Sequence, residues 1–239
     1  MIRTDSSSHA RKVSKMFTRI AGRYDLMNRL MTFGMDRFWR RFLVEAADLP
    51  DGGRLLDVGT GTGDIVFEAL RTDPSLKVIG ADLTLEMIKQ GAMRPEEQKV
   101  GWCLSDALDL PFADSTFDSV TSGYLIRNVM EAGKAFQEQM RVVKPGGRVV
   151  CLDTSPVPKN ILKPFILFYL KTVIPVLGYL IARDAKAYRY LPESTQAFME
   201  PETLASVMIS VGLQDVSFRR FMFGTMAVHW GTRPEERTK

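Results

Sequence analysis

The chain has 239 residues, 45% of them apolar, which suits one α/β domain with additions. Its two cysteines, Cys103 and Cys151, stand in separate apolar runs, so a disulfide-framed secreted scaffold is excluded and buried free thiols are expected. A formal charge of +4 spread along the chain makes no nucleic-acid footprint, and His9 and His229 fall at no metal-ligand spacing with the cysteines, so neither nucleic acid nor metal is expected.

The opening MIRTDSSSHARKV lacks an apolar signal core, which points to a cytoplasmic protein. From Ser14 to Ala47 apolar residues recur at helical spacing, and Gly22 and Gly34 divide the run into about three pieces. Residues 1–50 therefore read as an N-terminal helical preface that either lids a ligand pocket or packs as ordinary amphipathic helices. Tyr24, Asp25, Asn28 and Trp39 are denser there than packing requires.

The rest, residues 51–239, is organised around LLDVGTGTGD, Leu55 to Asp64. A buried strand ending in Asp57 runs into Gly59, Gly61 and Gly63, and a helix follows. Glycines let a ligand approach the backbone, and the first N–H groups of the helix lack internal partners. A dinucleotide fingerprint would place its third glycine where Asp64 stands. A carboxylate opposes a pyrophosphate and favours a cation, so Asp57 and Asp64 point to S-adenosylmethionine. KVIGAD, Lys77 to Asp82, is a second strand ending in an acid, and Asp82, followed by Leu83, is placed for a ribose diol.

Strands and helices then alternate: helix Asp64 to Arg71, helix Leu85 to Gly91, strands Val100 to Leu104 and Phe117 to Ser122, helix Glu131 to Val143, turn KPGG and strand Arg148 to Asp153. This implies an α/β fold with a mostly parallel sheet, helices on both faces and a crevice at the strand carboxyl ends. In SDALDLPF, Asp106 and Ala107 either meet an adenine or form a turn in which Asp106 is the cap. In SGYLIRNVME, Arg127 and Asn128 sit inside an apolar run, so the guanidinium either faces a ligand or pairs with a carboxylate such as Asp25.

The segment ILKPFILFYLKTVIPVLGYLIA, Ile161 to Ala182, is almost wholly apolar, yet lysines interrupt it and Pro164 and Pro175 are expected to break its helix. It reads as a substrate cap inserted at about 156–198 that dips into lipid, not as a span. A helix from Pro201 and a hairpin of strands Val216 to Arg220 and Thr225 to Trp230 close the sheet, and the tail from Arg233 is expected to fray.

YDLMN (Tyr24 to Asn28) with FGMDRFWR, the DVGTGTGD loop, IRNV (Ile126 to Val129), KPGGR and YRYLPES together resemble the UbiE/COQ5/MenG family of quinone-biosynthesis C-methyltransferases, over about Lys12 to Thr232. The resemblance implies a class I methyltransferase, Rossmann-like, with a seven-stranded sheet. It implies cofactor contacts at Thr62, Asp82, Asp106 and Ala107, and substrate-side roles for Tyr24, Arg127 and Asn128. The implied reaction is C-methylation of a polyprenylated hydroquinone, demethylmenaquinol to menaquinol or its ubiquinone counterpart, with S-adenosylhomocysteine as the other product. The implied setting is the cytoplasm, peripheral at the inner face of the plasma membrane; a homodimer is compatible, though the sequence gives no oligomeric state. The chain departs from the family at Gly123, Tyr124 and Leu125, where Ser-Phe-Gly is usual, and Ser122 lies one position before the missing serine. It departs again at Met35 and Asp36 and at Asp153 to Ser155. The alternatives are O- or N-methylation of another hydrophobic molecule, or a non-catalytic cofactor-binding subunit.

Overall fold

The computed structural model describes residues 2–94 and 99–235. Seven strands, β1 (Arg54–Val58), β2 (Lys77–Asp82), β3 (Val100–Leu104), β4 (Phe117–Gly123), β5 (Val143–Thr154), β6 (Gln214–Phe221) and β7 (Met226–Thr232), form one sheet in the order β3-β2-β1-β4-β5-β7-β6. The first five are parallel; β7 runs antiparallel to both β5 and β6, the expected closing hairpin. Strand β1 is central, so Leu55, Leu56 and Val58 are buried on both faces, which is why its sequence reads as an unbroken apolar run. The order reverses between β1 and β4, and a crevice opens there beyond the strand carboxyl ends.

One core layer packs Trp39, Leu43, Val66 and Phe67 against Val150 and Val228. The other packs Phe117, Phe136 and Val149 against Leu204 and Met208. The preface consists of α1 (Ile2–Ile20), α2 (Tyr24–Met31) and α3 (Asp36–Ala46). Helix α3 belongs to the first core layer; only α1 and α2 stand apart, sharing a third cluster of Met16, Ile20 and Met27 with Ile174 and Tyr188 of the cap. Helix α1 also begins well before Ser14, because Ala10, Val13 and Phe17 reach the crevice and give the extra turns a surface to cover.

The cap departs from expectation. Lys163–Ala182 is one continuous helix, long and apolar enough to cross a membrane and mostly uncovered by protein. Pro164 occupies the first turn, where its missing N–H costs nothing. Pro175 follows a wide π turn at Tyr169–Val173, and a second at Gly178–Ala182 ends the helix; wider turns absorb a proline ring that a regular helix would not. A second cap helix, Ala185–Ala197, returns towards the sheet. At the other end Arg233 is anchored, not frayed: its guanidinium donates to the carbonyls of Met140, Arg141 and Val143 where the helix Ala132–Val142 passes into β5, and the last four positions of the tail lie outside the described residues.

Candidate active site

The turn after β1 is fastened to β2. The N–H groups of Gly59 and Thr60 donate to the Ala81 carbonyl at 2.8 and 3.0 Å, and Gly61 N–H donates to Asp82 Oδ2 at 2.8 Å. Thr84 N–H donates to Asp82 Oδ1 at 2.7 Å, so the acid is fixed at the mouth of the crevice. Gly61 has φ +58°, and a Cβ there would meet nothing within 4 Å: its face is open to a ligand. Gly63 has a different role, since a Cβ on it would strike Trp102 and Phe67.

A cavity of about 830 Å³ lies over this turn. Gly59, Gly61, Asp82, Leu83, Asp106 and Ala107, six of the residues expected to meet a cofactor, line it, and α1 roofs it with His9, Val13 and Phe17. Asp106 caps the turn, its Oδ1 accepting from Leu108 N–H at 2.9 Å, and it also lines the cavity. Asp57, Thr62, Gly63 and Ser122 lie outside the lining. Asp57 is buried beneath the turn, where Thr121 Oγ1 donates to it at 2.8 Å and burial pushes its carboxyl up to about 7. Thr62 instead ties down α2, its hydroxyl donating to Asp25 at 2.5 Å. Asp64 faces no ligand either: Arg40 and Arg94 each lie 2.6 Å from it and hold its carboxyl below the usual range. The cationic neighbours its position suggested are supplied by the protein itself.

A second cavity, of about 1350 Å³, lies beneath the cap. Its walls are Met31, Trp39, Ile166, Leu170, Ile174 and Met226, and its rim includes Phe165 (72% exposed) and Phe223 (70% exposed). Tyr24 and Tyr124 line both cavities and form the wall between them. Burial raises the pKa of each phenol.

Arg127 is placed in the apolar wall by a short 3₁₀ turn, Ile126–Asn128. Its partner is Asp153, at 2.6 Å, and not Asp25; the Arg127 N–H also donates to Asp153 at 3.1 Å. Asp153 ends β5 as Asp57 and Asp82 sit near the ends of β1 and β2, a regularity that could have found it. The guanidinium lies 5.1 Å over the Tyr124 ring, and its Nε is buried without a hydrogen-bond partner. Asn128 faces the first cavity; its amide donates to the Tyr124 carbonyl at 2.8 Å and its Oδ1 accepts from Tyr190 at 3.0 Å. The tyrosines of YRYLPES thus serve the site from behind: Tyr190 steadies Asn128, and Tyr188 packs in the cap.

A nucleoside-sized cavity with an open glycine and an acid at the end of β2, in a sheet of this order, defines a class I S-adenosylmethionine-dependent methyltransferase. Solved structures share the fold. SpnF, a [4+2]-cyclase, superposes with a TM-score of 0.70 at 14% identity, covering 95% of this chain and 97% of that one. The Haemonchus contortus phosphoethanolamine N-methyltransferase 2 bound to S-adenosyl-L-methionine gives 0.58 at 16% identity, over 78% of this chain and 50% of that one. Residues 5–233 match the ubiE/COQ5 methyltransferase family, and the chain belongs to it. It is 49% identical, over 92% of its length and 90% of the relative's, to the ubiquinone/menaquinone biosynthesis C-methyltransferase UbiE of Desulfotalea psychrophila. It is 42% identical, over 92% of its length and all of the relative's, to the demethylmenaquinone methyltransferase of Thermus thermophilus.

Proposed function

We propose that this enzyme methylates a ring carbon of a polyprenylated hydroquinone in menaquinone or ubiquinone biosynthesis. The observation that carries the reading is the pair of cavities with a shared wall of Tyr24 and Tyr124: one suits a nucleoside, the other an isoprenoid tail and its ring. Bound S-adenosylmethionine supplies an electrophilic methyl group. Gly59, Gly61, Asp82, Leu83, Asp106 and Ala107 would hold it, with Asp82 accepting from the ribose.

A ring carbon becomes nucleophilic when its neighbouring hydroxyl loses a proton, and a phenol titrates near pH 10 in water. The site must therefore favour the phenolate. Arg127 stays protonated at any working pH and is no base. It lowers the energy of the oxyanion through its unpartnered Nε, while Asp153 fixes its plane. Tyr24 and Asn128 orient the ring and the departing proton. Arg127→Ala should lower kcat by about 100-fold or more while cofactor Kd changes by less than about threefold, read by single-turnover kinetics and calorimetry.

The cap supports a membrane location at the inner face. From Ser155 to Ala182 the chain carries three lysines and no carboxylate, and Phe165, at the rim of the apolar cavity, is exposed along with Phe168, Tyr179 and Leu180 of the same helix. One face of this helix packs on α1 and α2, so it lies along a lipid surface and does not cross it. The deciding experiment supplies purified enzyme with labelled S-adenosylmethionine and either reduced demethylmenaquinol or a demethylated ubiquinol precursor. A new C-methyl located by mass spectrometry is the expected outcome; cofactor binding without methylation of either ring, or an O-methyl ether, overturns the reading.

A further inference from the structure

Tyr124 is held in a conformation that an aromatic residue avoids, φ +57°, between the two cavities. Three contacts keep it there. Its N–H donates to the Leu152 carbonyl at 2.7 Å, its ring lies under the Arg127 guanidinium at 5.1 Å, and its hydroxyl oxygen accepts from Trp39 Nε1 at 2.9 Å. The last contact has a direction. An indole N–H only donates, so the phenol oxygen accepts there and its own proton is left to donate elsewhere.

Other hydroxyls of the apolar cavity are already engaged within the protein. Those of Thr32, Tyr169, Thr195 and Thr225 donate to Asp36, the Met31 carbonyl, Thr154 and the Met222 carbonyl. Tyr24 shares the wall with Tyr124, and its phenol, raised in pKa by burial and lowered less by Asn28, keeps a proton to donate as well. The Tyr124 O–H thus joins the unpartnered Arg127 Nε as a donor in an apolar wall, and Trp39, fully buried, sets its orientation.

Resting on the quinol reading above, we propose that Tyr124 donates a hydrogen bond to the ring oxygen beside the methylated carbon, sharing the developing negative charge with Arg127. Burial raises the Tyr124 pKa, so the group keeps its proton at working pH. No proton leaves Tyr124 in this role. Methyl transfer breaks the sulfur–carbon bond and forms the carbon–carbon bond with the ring's electrons, the sulfur keeps its bonding pair as the neutral thioether, and the one proton lost passes from the substrate to water.

The test uses 4-nitro-1-naphthol, a coloured phenol, bound to the full chain with S-adenosylhomocysteine and titrated by absorbance. Tyr124→Phe keeps the ring and should raise the bound naphthol's apparent pKa by about half to one unit, with cofactor Kd within about twofold. Trp39→Phe should shift it the same way by less, and the double variant should match Tyr124→Phe, because Trp39 acts through the phenol. With a quinol substrate, Tyr124→Phe should lower kcat about tenfold and leave KM within about threefold. Equal naphthol pKa values in wild type and Tyr124→Phe, or no saturable naphthol binding to wild type, overturn the proposal. A naphthol shift in a wild-type enzyme that methylates neither quinol would defeat the substrate reading and leave the Tyr124 contact standing.

Discussion

Asp57 lies beneath the glycine turn with Thr121 as donor, and its carboxyl titrates near 7, against about 3.9 in an unfolded chain. Because the folded form binds the proton more tightly, the stabilisation is complete below pH 4 and disappears as pH rises through 7. Asp57→Asn, which mimics the protonated acid, should therefore leave thermal stability nearly unchanged at or below pH 4, raise it in part at pH 5.5 and raise it most at pH 8; calorimetric melts across this range check the trend. Arg127 and Asp153 behave differently, as a pair buried together in an apolar wall. Asp153→Ala would strand the guanidinium and should destabilise the fold by about 3–5 kcal/mol, measured by urea unfolding. In the sequence, Arg127 stands out because its neighbours are apolar. Its partner does not, since ion pairs are settled by tertiary proximity: Asp25 went to Thr62, Asp64 to Arg40 and Arg94, and Asp153 remained within reach.

Elements were legible in proportion to how local their causes are. Strands β1 and β2 match expectation because interior strands write themselves as short apolar runs bounded by turns, and the edge strand β3, only partly buried, matches because turns bound its apolar run as well. Of the six residues expected at a cofactor that line the cavity, Gly59 and Gly61 are legible because the turn after β1 is a local structure, and Asp82, Leu83, Asp106 and Ala107 because they stand at or just beyond the ends of β2 and β3. Thr62, Gly63 and Ser122 share the turn's neighbourhood but face α2, Trp102 and the β4 interior, and side-chain direction is not written in a motif. The cap helix escaped because prolines read as breaks, whereas π turns carry the chain past Pro175. Its exposed apolar side chains give a direct prediction. Phe168→Gln with Leu180→Gln, both exposed and outside the cavity lining, should weaken binding to anionic vesicles by about tenfold or more, seen by co-sedimentation. Activity on a short-tailed quinol should survive.

Across the whole molecule, α1 and α2 are joined to the sheet mainly by scattered polar contacts: Asp25 to Thr62, Ser14 to Thr84, Thr18 to Glu86 and His9 to the Asn128 carbonyl. Their apolar packing is with the cap, to which Arg19 and Arg23 also reach through Asp184 and the Ile181 carbonyl. Lid and cap therefore form a unit less tightly bound to the core than α3, whose Trp39 and Leu43 are fully buried in it. Saturating S-adenosylhomocysteine should slow tryptic cleavage at the exposed Lys12 and Lys15 by about tenfold or more, and Thr62→Val should erase part of that protection. The two cavities also open on different surroundings, the first beneath α1 and the second at a rim of exposed Phe165 and Phe223. A catalyst that draws one reactant from water and the other from a film obeys two kinds of concentration. With quinol delivered from a film, as proposed above, saturation should follow mole fraction in that film, and blank lipid added at fixed total quinol should slow turnover although nothing in the aqueous phase has changed.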